Sequence, residues 1–167
     1  MGMDVHGLNP KQNKNIDDFP TMKKFDSMEF SEKWKKLDKN EKLKNKYWEE
    51  KNKWEKGNPG VYFRNNCWWW RPLWNYCYAV ADDIIPEEVY SNGHCNDGAG
   101  LDANDAELLG KRLLETIDSG ECLKYQAKYM EYQENSDDEF ASSYPFDIDN
   151  VKNFANFCIE SGGFEIC

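Results

Sequence analysis

The sequence predicts a mostly helical α+β protein, with about four to six helices and a small sheet that joins strands from the two chain ends. Residues 103–119 and 148–160 carry apolar side chains at the spacing of helices that bury one face. Residues 1–5 and 164–166 alternate apolar and polar side chains, a pattern typical of short strands. If the two terminal strands pair, they tie the chain ends together.

Residues 11–60 differ in composition from the rest of the chain, because lysine, asparagine and glutamate dominate there. Ser31 can cap a helix over about residues 32–56, or a helical hairpin broken near Asn40. The run Gly-Asn-Pro-Gly at 57–60 ends this region. Since its apolar content is thin, we predict a lysine-rich helical arm or insertion, whereas residues 1–10 and 61–167 form a single compact domain.

The predicted helices of the compact domain have sequence signals where they begin or end. Asn65 or Asn66 can cap a first helical turn, and Pro72 suits the start of the next helix. Asp102 can cap the helix that follows, and Gly120 can end it. Residues 135–143 are predicted to form an acidic loop. The predicted helices span about residues 72–82, 103–119, 121–134 and 147 or 148 to 160, with a helical turn near 86–90.

The most aromatic part of the chain is residues 62–77, here termed the aromatic segment. It contains four of the seven tryptophans and two of the three arginines. Burial of each aromatic side chain removes a large apolar area from water, so the segment is predicted to form the core. Its three consecutive indoles at 68–70 cannot share one face of a helix or strand, so they must meet more than one layer of packing.

Residues 91–102, here termed the glycine loop, are the second distinctive stretch, with three glycines between positions 93 and 100. A guanidinium among aromatic rings needs a partner, and a carboxylate offers two parallel hydrogen bonds. We therefore expect Arg64 or Arg71 to contact Asp97 or Asp102, with both stretches around one ligand-binding cleft. The predicted site residues are Arg64, Asn65, Asn66, Trp69, Arg71, His94, Asn96, Asp97 and Asp102.

The glycine loop also permits a metal-based interpretation. His94, Asp97 and Asp102 offer ligands for a hard cation, with the imidazole as ligand or base. An EF-hand is excluded because Leu101 stands where that motif requires glycine. Capping and ion pairing explain the same residues more simply, so we predict neither a metal nor a cofactor. A nucleophilic pair of Cys95 and His6 is formally open.

Several segments of the compact domain resemble a family of small phage and bacterial proteins without a known activity. The resemblance implies a phage or bacterial setting and brings no catalytic residue with it. The segments are Met-Gly-Met-Asp-Val at 1–5 with Gly7 and Asn9-Pro10, Tyr62–Leu73 with its Phe-Arg-Asn-Asn-Cys-Trp-Trp-Trp-Arg-Pro-Leu run, Asn-Asp-Gly at 96–98 with Gly-Leu-Asp at 100–102, Tyr-Pro-Phe at 144–146, and Gly-Gly-Phe-Glu-Ile-Cys at 162–167.

Charge and cysteine usage narrow the functional classes. Residues 1–60 carry a net charge of +3 and residues 61–167 carry −13, giving −10 in total, which disfavours direct binding of duplex nucleic acid. The first residues lack the basic stretch and apolar run of a signal peptide, and no apolar run is long enough for a membrane span, so we expect neither export nor a membrane contact. Six dispersed cysteines without a C-x-x-C pair indicate reduced thiols in the cytoplasm, which is the host cytoplasm if the protein is viral.

These observations favour a binding protein over an enzyme. The predicted function is binding of a host or phage macromolecule or of a small ligand, as a regulator or inhibitor. Aromatic rings with arginines suit a planar ligand, because rings stack on a planar group and guanidinium groups hold phosphate or carboxylate. The alternative is a metal-dependent hydrolase or nucleotide-processing enzyme that uses His94, Asp97 and Asp102.

Overall fold

A computed structural model of the chain describes residues 2–137 and 140–167. The chain divides into two compact units. One, here termed the arm, is Gln12–Pro59; the other, here termed the compact unit, combines Met1–Lys11 with Gly60–Cys167. Met1, the first residue of the predicted terminal strand, lies outside the described residues.

The compact unit contains a four-stranded antiparallel sheet with the strand order β2-β1-β4-β3. Its strands are β1 (Gly2–Gly7), β2 (Tyr62–Asn66), β3 (Ala99–Leu101) and β4 (Phe164–Ile166). The predicted pairing of the terminal strands is confirmed, with Val5 opposite Ile166. The sequence did not predict β3, a short strand within the glycine loop.

The α+β class is confirmed, but the predicted number of helices is too low, since residues 2–137 and 140–167 include eight. The arm supplies three of them, because the chain breaks at Met28 and again at Asn40, whose side chain caps the third helix. The helices are α1 (Pro20–Asp26), α2 (Phe30–Leu37), α3 (Glu41–Gly57), α4 (Cys67–Ala81), α5 (Glu87–Asn92), α6 (Ala103–Asp118), α7 (Glu121–Asn135) and α8 (Ile148–Ser161).

Helix α4 begins earlier than predicted. The Asn66 side chain accepts a hydrogen bond from the Trp69 backbone N–H at 3.0 Å, so the helix starts at Cys67. Pro72 therefore lies inside one continuous helix and does not open a second. A proline there removes a backbone hydrogen bond and costs about 3 kcal/mol or more. Burial of Trp70 and the side chains that follow it on the same face offsets this cost.

The core of the compact unit uses only part of the aromatic segment. Trp70 and Trp74 are fully buried and stack on each other, with ring centroids 5.4 Å apart. Trp68 and Trp69 are 40% and 36% exposed, because successive helical residues point about 100° apart. The prediction that the segment as a whole forms the core is therefore wrong for these two indoles.

The predicted acidic loop at 135–143 includes residues 138 and 139, which lie outside the described residues. Ala141–Ser143 forms a short 3-10 turn instead of an irregular loop. No helix among the described residues has the length and apolar character needed to cross a membrane.

The arm has a small buried cluster of its own, which its thin apolar content did not predict. Met22, Phe25, Leu37 and Tyr47 are each at most 2% exposed. The Tyr47 hydroxyl donates a hydrogen bond to Asp26 at 2.8 Å and accepts one from the Lys33 ammonium at 2.6 Å. Burial raises the pKa of Tyr47, so its hydroxyl remains a donor at neutral pH.

The first prediction concerns the separability of the two units. Residues 12–59 can be replaced by a short glycine–serine linker, because the residues on either side, Lys11 and Gly60, lie close together at the same backbone carbonyl. The Lys11 N–H donates to the Glu160 oxygen at 2.9 Å, and Gly60 packs directly against that oxygen. We expect the shortened chain to unfold in one cooperative transition, followed by circular dichroism during urea titration. Gradual unfolding, set against the cooperative transition of the full chain, would show that the arm is required for the fold.

Candidate functional site

The predicted contact between an arginine and an aspartate of the glycine loop is wrong. The Arg64 Nε lies 3.5 Å from an oxygen of Asp4 on the neighbouring strand, and most of its side chain is exposed. Arg71 donates a hydrogen bond from Nη1 to the Tyr144 hydroxyl at 3.0 Å. Both guanidinium groups therefore have partners that are distant in sequence from the glycine loop.

The two aspartates of the glycine loop bind nearby backbone N–H groups. Asp97 accepts from the Ala99 N–H at 3.4 Å, and Asp102 accepts from the Asp105 N–H at 2.9 Å as the N-cap of α6. A short carboxylate side chain reaches such local donors without bringing distant elements together. This local demand explains why the predicted ion pair does not form.

The predicted asparagines have structural roles. The Asn65 side chain donates to the Asn150 side-chain oxygen at 3.1 Å, which joins β2 to α8. Asn66 caps α4. Asn96 donates from its side chain to the Gly2 carbonyl at 2.9 Å, which fixes the glycine loop to the start of β1.

The glycine loop and the aromatic segment contact each other through a tryptophan, and not through the predicted ion pair around one cleft. The Trp70 indole N–H donates to the Gly93 carbonyl at 2.7 Å. The adjacent His94 ring contacts the Tyr90 ring edge-to-face, with centroids 5.2 Å apart. Partial burial lowers the pKa of His94, and the positive charge of Arg71 lowers it further. Of the predicted site residues, Arg71 and His94 are thus near each other.

Arg71 lies at a surface cleft of about 290 Å³, here termed the Arg71 cleft. It is formed where the exposed side of α4 faces the end of α7 and the 3-10 turn after it. The lining residues are Arg71, Pro72, Asn75, Tyr129, Tyr132, Ala141 and Tyr144. Sequence reasoning missed the tyrosines, although the helical spacing of Tyr129 and Tyr132 on α7 is a signal that they share one side.

The charge of Arg71 is not neutralised within the part of the chain that the structure describes. There, Arg64 pairs with Asp4 and Arg112 forms two bonds to the Asp83 carboxylate, at 3.0 and 3.1 Å. No carboxylate in residues 2–137 or 140–167 lies within ion-pair distance of Arg71. Its guanidinium carbon instead lies 5.9 Å from the Tyr144 ring centroid, in a cation–π contact.

The other walls of the cleft are aromatic and offer hydroxyl groups. Burial, with smaller contributions from neighbouring tyrosines, raises the pKa of Tyr129 to about 12, so its hydroxyl stays protonated at neutral pH. Tyr132 is 57% exposed. The Trp68 ring contacts the Tyr144 ring at 4.8 Å and extends this aromatic surface beyond the cleft. The cleft therefore combines one cation with several accessible ring faces.

The geometry does not favour the metal-based interpretation. Within the described residues, no group of three or more histidine, cysteine, aspartate and glutamate side chains is arranged to hold a metal ion. Nor does a Cys95–His6 pair receive support, since the His6 ring packs against Tyr62 with centroids 5.1 Å apart. Burial raises the pKa of the Cys77 and Cys158 thiols, which makes both poor nucleophiles.

Comparison of the chain with protein-family models, curated proteins and solved structures finds no match. The suggested relation to small phage and bacterial proteins remains a prediction. What the site can do must follow from its own side chains. A cation without a carboxylate partner in the described part of the chain, beside several tyrosine rings, can recognise a planar group that carries a negative charge.

The second prediction is that Arg71→Ala destabilises the fold by less than about 1 kcal/mol, because an exposed guanidinium with a neutral partner contributes little. Trp70→Phe should cost about 1–3 kcal/mol, since it leaves the Gly93 carbonyl without its donor. Urea unfolding of both variants measures the difference. A cost near 3 kcal/mol for Arg71→Ala would assign this arginine a structural role.

The third prediction concerns pH. The folded-state pKa of His94 is lowered, so the unfolded chain binds the proton more tightly. The resulting loss of stability is absent above the ordinary pKa of about 6.5 and grows as the pH falls below it. When the pH is lowered from about 7.5 to about 5, the free energy of unfolding should therefore decrease less for His94→Gln than for the unaltered protein. Equal losses in urea unfolding at the two pH values would contradict this assignment.

Proposed function

We propose that this is a binding protein, and that the Arg71 cleft holds a planar ligand with a carboxylate or phosphate group. The observation that carries the proposal is the guanidinium of Arg71, which lies among tyrosine rings and has no carboxylate partner in the described part of the chain. An arginine fork matches the geometry of such oxygens and can form two parallel hydrogen bonds with them.

The charge of the compact unit favours a small anion over an extended one. Its residues sum to −13, so a chain of phosphates would meet repulsion along its length. A single acidic group meets that repulsion once, at the place where Arg71 supplies a local positive charge. This argument agrees with the prediction against direct duplex binding.

The tyrosines provide the second part of the recognition. A planar ligand can stack on the faces of Tyr132 and Tyr144, while the Tyr129 hydroxyl donates a hydrogen bond. The volume of about 290 Å³ is near the lower end for small-molecule sites, which suits one ring system. Asn75 adds an amide at the same wall, although its oxygen already accepts from the Tyr90 hydroxyl at 2.9 Å.

Binding of this kind fits a regulator or inhibitor better than an enzyme. Among the described residues that line it, the cleft brings together no nucleophile, base and orienting group of the kind that catalysis requires. The role in a phage or bacterial cytoplasm belongs to the same proposal and is supported by the sequence resemblance alone. A protein partner could present the same chemistry through one side chain, and the small-ligand test below separates these cases.

The fourth prediction tests the cleft with matched ligand pairs. Isothermal titration should detect binding of adenosine monophosphate or indole-3-acetate, and weaker binding of adenosine or indole-3-acetamide, which lack the negative charge. Arg71→Gln should lower the affinity for the two anions at least about tenfold, because a charge-assisted hydrogen bond contributes about 1.5–3 kcal/mol. The affinity for the two neutral analogues should change little. Tyr132→Ala should weaken both members of each pair.

Arg112→Gln is the matched control, because Arg112 is partly exposed and bonded to Asp83 outside the cleft. It should leave all affinities unchanged. The small-ligand proposal fails if none of the four compounds binds, or if the Arg71 and Arg112 variants behave alike. In that case, the proposed binding function would be retained only if a protein partner binds the unaltered protein and does not bind the Arg71→Gln variant.

A further inference from the structure

The arm exposes two large aromatic side chains at the edge of its own small core, with the half-buried Trp34 between them. Phe30 is 74% exposed and Trp48 is 38% exposed, although both are large apolar side chains. Exposed apolar side chains are unremarkable singly, but a contiguous group indicates an interaction surface. This group is here termed the arm aromatic surface and consists of Phe30, Trp34 and Trp48.

The three rings form a continuous row across two helices. Phe30 and Trp34 lie one turn apart on α2, with centroids 6.1 Å apart and the ring planes at 67° to each other. Trp34 then contacts Trp48 of α3 at 5.8 Å, with the planes tilted by 35°. The row therefore presents ring faces and edges of different orientation within a short distance.

Lysines flank this row. The Lys44 ammonium lies 5.9 Å from the Trp34 ring centroid, and the Lys51 ammonium lies 5.6 Å from that of Trp48. Their acidic neighbours are Asp38, 2.7 Å from Lys44, and Glu55, 3.9 Å from Lys51. Such pairs near the surface are weak, so an incoming phosphate can replace the carboxylate. The arm carries thirteen lysines against ten acidic residues, a net charge of +3.

We propose that the arm aromatic surface binds single-stranded nucleic acid. Unpaired bases expose planar faces that stack on aromatic side chains, and lysines beside them neutralise the phosphates. A duplex would hide its base faces, and an acidic peptide would supply charge without a planar face. The inference is independent of the Arg71 cleft, because the residues and the unit that carry it are different.

The fifth prediction uses the full chain and a fluorescein-labelled oligo(dT) of about 15 nucleotides, near the upper end of known site sizes. Fluorescence anisotropy at about 50 mM salt should show binding. Phe30→Ala and Trp48→Ala should each weaken it by between about fivefold and about a hundredfold, the range measured for loss of one stacked base. Lys44→Gln and Lys51→Gln should each lower the slope of log affinity against log salt by about 0.7.

Leu123→Ala is the matched control, because Leu123 is 60% exposed but belongs to α7 of the compact unit. It should bind the oligonucleotide like the unaltered protein. If Trp48→Ala lowers the melting temperature, its effect on binding is disregarded and Phe30→Ala alone tests the proposal, since the Phe30 side chain is mostly exposed. The proposal is overturned if oligo(dT) does not bind, if Phe30→Ala has no effect, or if duplex or poly-glutamate binds equally well.

Discussion

The buried stack of Trp70 and Trp74 is the interaction on which the compact unit depends. Phe154 of α8 and Phe164 of β4 meet these indoles edge-on, so the pair joins helix packing to the sheet. Both indole N–H groups donate to carbonyls of the segment at 90–93, which satisfies their polar atoms inside the core. Gly93 must lack a side chain, because a Cβ there would lie 2.5 Å from the Trp74 nitrogen.

This burial also determines what the opposite side of α4 can present. Trp70 and Trp74 share a buried face of α4, and Arg71 and Asn75, each about 100° further round the helix, share an exposed one, because residues four apart lie on the same face. The cleft then requires only that α7 and residues 141–144 lie beside that exposed face. Among the cleft tyrosines, Tyr129 packs on Phe146, which in turn packs on the buried Tyr76, so this part of the cleft wall rests on the core. The packing that holds the fold therefore positions the candidate site.

Signals between neighbouring residues could be predicted from the sequence, and contacts between distant elements could not. Asn66, Asp102 and Gly162 mark helix ends by local hydrogen bonds or a left-handed backbone, and α6 lies within one residue of its predicted range. The start of α4 was misplaced because packing outweighed the local preference of Pro72. Similarly, the aspartates of the glycine loop bind adjacent backbone N–H groups. The general rule that charged groups seek an opposite charge therefore did not predict their partners. The tyrosines at Arg71 come from elements whose arrangement only tertiary packing determines.

Cations beside exposed rings recur in the two units and offer one physical account of both candidate surfaces. Arg71 lies over Tyr144 in the compact unit, and Lys44 and Lys51 lie near Trp34 and Trp48 in the arm. A cation over a ring face shields it from other apolar surfaces while staying hydrated itself, which limits aggregation. When an anion with a planar group arrives, the cation can turn to the anion and free the ring for stacking. The difference between the units is then one of charge, since the net negative compact unit suits a single acidic group and the net positive arm suits several phosphates.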